Sequence, residues 1–182
     1  MSKTYFTESE LKKNIVLFSV RDSRYSERLL NESSSLKSHY DFFLSHSSAD
    51  FELIQGLYKK LKDMGFSAFL DRVDAKGVSI NDMADKLKKA MDNSNYILYS
   101  HTHNSIDSKW VPWELGYFDC KNNASNILVM PILNNQGKAL YDGQEYLNQY
   151  KEISVEDLNK IKSIKLEERI KHRDEILKSL WS

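Results

Sequence analysis

The sequence predicts an α/β protein built on a central parallel sheet of about five strands flanked by helices, with helical extensions at both ends. Three observations support this class. From Tyr40 onwards, short apolar runs alternate with segments whose apolar residues recur at helical spacing. The runs are apolar at consecutive positions, which suits strands buried on both faces. The length of 182 residues and the apolar content of 41% fit one ordinary domain with a modest extension.

The amino-terminal segment is expected to be helical. Thr7 and Glu10 have the spacing of a capping box. Helical periodicity continues from there to Leu30, and the apolar residues expected to be buried are Leu11, Ile15, Phe18 and Leu29. The serine-rich stretch 31–35 is expected to be a linker. We therefore divide the chain into a helical extension with its linker (1–38), a main domain (39–155) and a carboxyl-terminal helix packed on it (156–182).

Within the main domain, turn residues and changes of periodicity separate the strands. The apolar runs predict strands at Phe42–Leu44, Phe66–Leu70, Tyr96–Tyr99, Asn126–Leu133 and, at the edge of the sheet, Tyr150–Val155. Such runs are too short for helices and are bounded by polar or glycine-containing segments. Their alternation with helices predicts parallel pairing.

Helices are expected between these strands. The first begins near Phe51 and stops at Gly65, and the second follows a long loop at 72–79 and carries Met83 and Leu87 on its apolar side. A short helix contains Trp110, Trp113 and Glu114. The last is capped by Ser154 and runs to about Leu180, with an expected buried stripe of Leu158, Ile161, Ile164 or Leu166, Ile170 and Leu177.

Composition excludes several classes of function. The 26 basic and 26 acidic side chains cancel, and no basic run is interleaved with aromatic residues, so nucleic acid is not an expected partner. The single cysteine, Cys120, permits no internal disulfide. No apolar stretch approaches the length of a spanning helix, and Glu8 and Glu10 argue against a signal peptide. We expect a soluble, cytoplasmic protein without a glycine-rich dinucleotide or P-loop motif.

Three blocks of sequence resemble a known family. Tyr40–Asp50, Phe69–Asp71 with Gly77–Ile80, and Ser108–Leu115 resemble successive motifs of bacterial Toll/interleukin receptor (TIR) domains. The resemblance covers roughly residues 40–155. It implies a flavodoxin-like TIR fold and, through the Trp-x-x-Trp-Glu pattern of the third block, an enzyme that cleaves NAD. The sequence is similar to those of the TIR subunits of Thoeris-like antiphage systems.

Glu114 is the expected catalytic carboxylate. Pro112 must lie in or near the first turn of its helix, which places Glu114 within about one turn of the amino terminus. The helix dipole should lower the pKa of Glu114, so we expect an ionised carboxylate at neutral pH unless burial opposes it strongly. Nicotinamide leaves NAD as a neutral molecule, so a single carboxylate that stabilises the ribosyl cation is sufficient chemistry.

Other residues are expected to bind the substrate. Trp110 and Trp113 share a helical face with Glu114 and could stack on NAD, or could simply pack the helix on the sheet. Ser45, His46 and Ser48 follow the first strand at the end where open sheets bind ligands, although Ser47 or Ser48 could instead cap the next helix. The resemblance adds Asp71 and Gly77 to the predicted substrate-binding residues.

Two further residue types do not support a site. His101 and His103 alternate as a chelating pair would, but without a third ligand nearby we expect a solvated loop and no metal. Cys120 lacks the partners of a nucleophile and is expected to pack within its helix.

The function predicted from the sequence is cleavage of the nicotinamide–ribose bond of NAD. NAD is a substrate here, and no cofactor is expected. The product is ADP-ribose, a cyclic isomer or a conjugate, according to what captures the ribosyl cation. The resemblance implies an antiviral signal, TIR–TIR self-association and a separate effector protein. The first alternative is a non-enzymatic adaptor that uses the same loops for TIR–TIR contacts. A second is a related α/β enzyme acting on free nucleotides or deoxynucleosides.

Overall fold

The computed structural model describes residues 3–21, 28, 31–71, 79–122, 124–134, 136–137 and 144–180. Its helices and strands follow each other in the order α1 (Glu8–Arg21), β1 (Tyr40–Ser45), α2 (Phe51–Asp63), β2 (Ala68–Phe69), α3 (Ile80–Asp92), β3 (Ser94–His101), α4 (Trp110–Lys121), β4 (Ile127–Pro131), β5 (Lys151–Glu152) and α5 (Val155–Leu180). The five strands form one sheet in the order β2-β1-β3-β4-β5, and every neighbouring pair is parallel. The predicted fold class is therefore confirmed.

Apolar side chains fill both faces of the sheet, because successive residues of a strand point to opposite sides. Phe42 and Leu44 of β1 lie on the face covered by α1, α2 and α5. Phe43 lies on the other face, which α3 and α4 cover. This double burial explains why β1, β3 and β4 read as continuous apolar runs.

The amino-terminal segment shares the core of the main domain. Phe6 and Leu11 are buried against α2 and the sheet. The Thr7–Glu10 capping box is confirmed: the Glu10 amide donates to Thr7 Oγ1 at 3.3 Å, and the Thr7 amide donates to Glu10 Oε2 at 2.9 Å. Thr7 also forms a parallel bridge with Leu133 just beyond β4. The side chains of Phe18 and Leu29, which were also predicted to be buried, are not among those that the structure describes.

The stretch predicted as a linker is anchored to the sheet. Residues 31–33 are helical. Ser33 is buried, and its carbonyl accepts a hydrogen bond from the Leu70 amide at 3.0 Å. The Tyr40 hydroxyl donates to the Ser35 carbonyl. The segment that leads into β1 is thus fixed at both ends.

Helix α5 departs from the predicted pattern. Ser154 caps it as expected, accepting from the Asp157 amide at 3.3 Å. Leu158 is fully buried and Ile161 is partly buried. The rest of the predicted stripe that the structure describes is wrong, because Ile164, Leu166 and Ile170 are exposed by 57%, 54% and 42%. The cause is length, since a helix of 26 residues extends beyond the surface on which its first turns pack. Leu177 lies outside the described side chains.

Within the described residues, no helix has both the length and the apolar character needed to cross a membrane.

Candidate active site

The candidate site lies where the strand order of the sheet reverses. The first connection leads from β1 outwards to β2, and the chain then crosses back to place β3 on the other side of β1. In open parallel sheets, ligands bind beyond the carboxyl ends of the strands at such a point. Here β1 ends at Ser45 and β3 ends at His101.

Glu114 reaches this point from α4. Pro112 is the third residue of α4, as its missing amide hydrogen requires, and Glu114 is the fifth. The Glu114 side chain is buried, with 2% of its surface exposed. Its Oε2 atom accepts a hydrogen bond from Ser45 Oγ at 2.6 Å. The carboxyl group is therefore held directly against the end of β1.

The electrostatic environment of Glu114 corrects one expectation. Burial raises its pKa, the hydrogen bond from Ser45 lowers it, and the negative charge of Asp71 raises it, with a result of about 7. The expected lowering by the helix dipole is wrong, because the loss of hydration of a fully buried carboxylate exceeds a dipole effect of about 1 kcal/mol. At neutral pH, Glu114 exchanges readily between its neutral and ionised forms.

Asp71 lies just past β2 and contributes a second acidic group to this region. Its Oδ2 atom pairs with Lys86 Nζ of α3 at 2.7 Å. This ion pair holds the Asp71 carboxylate within electrostatic reach of Glu114. Gly77, also predicted to bind substrate, lies outside the described residues.

A cleft of about 480 Å³ opens between the loop after β1 and the loop before α4. It brings together three of the predicted substrate-binding residues, His46, Ser48 and Trp110. Ser45 and Glu114 are not among the residues that line the cleft, but Ser45 directly precedes His46 in the chain and Glu114 lies one helical turn beyond Trp110. The residues that line the cleft are His46, Ser47, Ser48, Ala49, Asn104, Asp107, Ser108, Lys109 and Trp110.

The two tryptophans have different surroundings. Their rings meet edge to face with centroids 5.4 Å apart, and both pack partly against the core under α4. Trp110 also lines the cleft. Trp113 stacks on Tyr117 with centroids 6.0 Å apart. Trp110 thus combines packing with access to the cleft, whereas Trp113 contacts the Trp110 ring and is not among the residues that line the cleft.

A buried carboxylate that sequence reasoning missed connects the two loops. Asp50 is 7% exposed and accepts hydrogen bonds from Thr102 Oγ1 and from Asn104 Nδ2, the latter at 2.6 Å. Asn104 lines the cleft, as does Lys109, which was also missed. The signal was present in the sequence, because these polar residues follow the first and third apolar runs, whose carboxyl ends must lie together in a parallel sheet.

Comparison with known proteins decides the family. A family model described as TIR domain matches residues 42–172. The chain belongs to the TIR domain family. This confirms the resemblance, and the matched range contains all of β1 after its first two residues, together with the cleft and Glu114.

Relatives of this TIR protein include bacterial enzymes. One from Bacillus cereus (strain MSX-D12), named "Probable 3' cyclic ADP-D-ribose synthase ThsB'", is 30% identical over 159 residues, which covers 81% of each chain. The "2' cyclic ADP-D-ribose synthase BtTIR" of Bacteroides thetaiotaomicron is 26% identical over 98 residues, covering 51% of this chain and 32% of that protein. Among solved structures, the TIR domain of the Toll-related receptor TRR-2 from Hydra magnipapillata aligns with 20% identity and a TM-score of 0.47, covering 72% of this chain and 98% of that one.

Other polar residues of the TIR domain differ from expectation. His101 is not in a solvated loop but is the buried last residue of β3, and burial lowers its pKa to about 4. Cys120 is exposed on α4 instead of packed. Ser47 occupies the cap position of a 3₁₀ turn, but its side chain makes no capping hydrogen bond. Among the residues that the structure describes, no group of three or more His, Cys, Asp or Glu side chains is arranged to hold a metal ion.

Proposed function

We propose that this TIR protein cleaves the nicotinamide–ribose bond of NAD and releases a cyclic ADP-ribose isomer. The observation that carries the proposal is the buried Glu114 carboxyl group, held by Ser45 at the carboxyl ends of the strands and one helical turn from Trp110, which lines the cleft. A carboxyl group that is buried, strongly shifted in pKa and next to a cleft is typical of a catalytic group. The names of the relatives given above support a cyclic product.

The reaction needs one carboxylate. As the C–N bond breaks, its electron pair leaves with nicotinamide, which was cationic in NAD and departs neutral. The ionised form of Glu114 stabilises the ribosyl cation that remains. Because its pKa is about 7, roughly half of the molecules hold this form at neutral pH. Ser45 orients the carboxylate by its hydrogen bond to Oε2.

Ring closure follows when a nucleophile of the same ADP-ribose unit captures the cation. If that nucleophile is a hydroxyl group, it loses a proton as the new bond to the ribose carbon forms. A carboxylate whose pKa is near neutrality is a suitable acceptor for this proton. Internal capture gives the cyclic product, whereas capture by water gives ADP-ribose.

The cleft has the size and the chemistry for a dinucleotide. Its volume of about 480 Å³ falls within the usual range of roughly 300–1,000 Å³ for ligand sites. We propose that Lys109 faces the diphosphate, that Trp110 offers a ring face and that Asn104 binds a ribose or amide group. Asp50 holds the Asn104 side chain by the hydrogen bond described above.

The test is incubation of NAD with wild type and with Glu114→Gln, followed by chromatography and mass spectrometry. We expect wild type to release nicotinamide together with a product of the mass of cyclic ADP-ribose, and Glu114→Gln to release neither. Glu52→Gln, at an exposed position on α2, is the matched control and should behave as wild type. Circular dichroism verifies that each variant is folded.

The outcomes separate the candidate functions. A fully active Glu114→Gln variant would exclude the mechanism. Release of ADP-ribose in place of the cyclic product would support the proposed cleavage of NAD and contradict the proposed cyclisation. Absence of nicotinamide from concentrated wild type would favour the adaptor, and competition by free nucleotides or deoxynucleosides would indicate the alternative enzyme that acts on them.

We further propose that the product is a signal in bacterial antiviral defence, made in the cytoplasm where NAD is available and received by a separate effector protein. Cells that carry this chain with its neighbouring genes should resist phage, and the same cells with Glu114→Gln should not. Resistance that survives the substitution would contradict the signalling role.

A further inference from the structure

The carboxyl half of α5 leaves the surface of the TIR domain. Leu158 is fully buried, while Ile161 and Lys165 are partly buried. Beyond Lys165, every side chain that the structure describes, at 166–168 and 170–172, is exposed. An isolated helix of this length is marginal in water, so a helix that continues for several turns without support calls for a packing partner.

Two of the three exposed apolar residues of α5, Leu166 and Ile170, form a second face, whereas Ile164 lies on another side of the helix. Leu166 and Ile170 lie roughly 130° around the helix from the side that packs on the domain, at 100° per residue. The sequence extends their spacing to positions 177 and 180, which are both leucine, with Arg173 between. The steps alternate between four and three residues, which is the spacing of a coiled-coil seam.

Charged residues flank this seam in a pattern that fits a second copy of the chain. Lys162 and Glu167 are both exposed and are five residues apart. Neither has an ion-pair partner among the described residues of its own copy. In a parallel pair of coiled-coil helices, residues with this separation face each other across the seam. Lys162 then meets the partner's Glu167, and the sequence repeats the arrangement at positions 169 and 174, which are Arg and Asp. An antiparallel pair would place lysine against arginine or lysine instead.

We propose that the carboxyl half of α5 pairs in parallel with the same helix of a second copy, with Leu166 and Ile170 in the seam. The seam spans only about two heptads, so the dimer is weak and depends on protein concentration. A parallel pair places both TIR domains at the same end of the helix pair. The proposal does not depend on cleavage of NAD.

The test is sedimentation equilibrium of the whole chain over a range of concentrations, with two charge variants. Lys162→Glu alone and Glu167→Lys alone each create like charges across the seam, and each should weaken the dimer several-fold. An equimolar mixture of the two variants restores opposite charges at both contacts, so it should form a heterodimer at least as well as wild type dimerises. Lys171→Glu and Glu168→Lys, which lie away from the seam, are the matched controls.

Circular dichroism verifies that each variant keeps its helix content. Wild type that stays monomeric at every concentration would overturn the proposal. If Lys162→Glu and Glu167→Lys each dimerise as strongly as wild type, self-association belongs to another surface of the TIR domain. The same conclusion follows if the mixture of the two variants does not recover the dimer.

Discussion

Burial of Glu114 should make the stability of the protein fall as the pH rises. The unfolded chain loses the Glu114 proton near the ordinary pKa of 4.5, whereas the folded chain keeps it until about pH 7. Between these values the folded state binds more protons, so the free energy of unfolding decreases with pH. The shift corresponds to roughly 3 kcal/mol, at about 1.4 kcal/mol for each pKa unit. This stability is fully present below pH 4.5 and is lost as the pH passes through 7.

The assay is urea unfolding of wild type and Glu114→Gln at a series of pH values from 5 to 8. Glutamine is uncharged throughout, so the stability of the variant minus that of wild type should rise by about 2.5 kcal/mol between pH 5 and pH 8. Lost or altered hydrogen bonds to Ser45 contribute a constant to this difference, and other titrating groups cancel from it. A difference that is flat with pH would refute the argument that burial controls the protonation of Glu114.

Three further predictions test other parts of the structure. Gly56→Ala should lower the free energy of unfolding in urea by roughly 1–3 kcal/mol, because the new Cβ would lie 2.3 Å from the Leu11 carbonyl oxygen. Gly116→Ala is the control: its Cβ would meet no atom within 4 Å, so the change should be neutral or mildly stabilising. His101→Gln should reduce the loss of stability on acidification from about pH 6.5 to about pH 4, because the unfolded chain protonates this imidazole in that range while burial keeps it neutral in the folded chain. His103→Gln, at an exposed position, is the control, and an unchanged acid loss in His101→Gln would contradict the assignment. If NAD is cleaved as proposed, kcat/KM should rise through about pH 7, and Asp71→Asn should lower the midpoint because a negative charge near Glu114 is removed. A midpoint that moves equally in Asp85→Asn, on the exposed side of α3, would show that the effect is not local.

The sequence predicted the sheet well because burial on both faces leaves a local signal. Phe42, Phe43 and Leu44 are consecutive apolar residues, and each side chain fills one of the two core clusters. The Thr7 and Ser154 caps were likewise predictable, since a cap needs only residues three positions apart. Pro112 placed the start of α4 for the same local reason.

Properties that depend on distant residues were not predictable in this way. The pKa of Glu114 depends on its burial against the end of β1 and on Asp71, which is far away in the sequence. His101 has the polar neighbours of a loop residue, but pairing between β3 and β4 extends to it and buries it. The exposed half of α5 has an apolar stripe like that of a packed helix, and periodicity alone cannot show what covers such a stripe.

The amino-terminal segment also determines where the folding unit begins. The Thr4 carbonyl accepts a hydrogen bond from the Val155 amide at 2.9 Å, and the Phe6 carbonyl accepts one from the Leu133 amide at 2.9 Å. These two hydrogen bonds join the amino-terminal segment to the start of α5 and to the residues just beyond β4, although the family resemblance begins only near residue 40. A truncated chain starting at residue 39 would uncover the core that Phe6 and Leu11 fill and would release the first turn of α5. A tag or fusion partner at the amino-terminal end is best joined ahead of Thr4, so that Thr4 and Phe6 keep these hydrogen bonds.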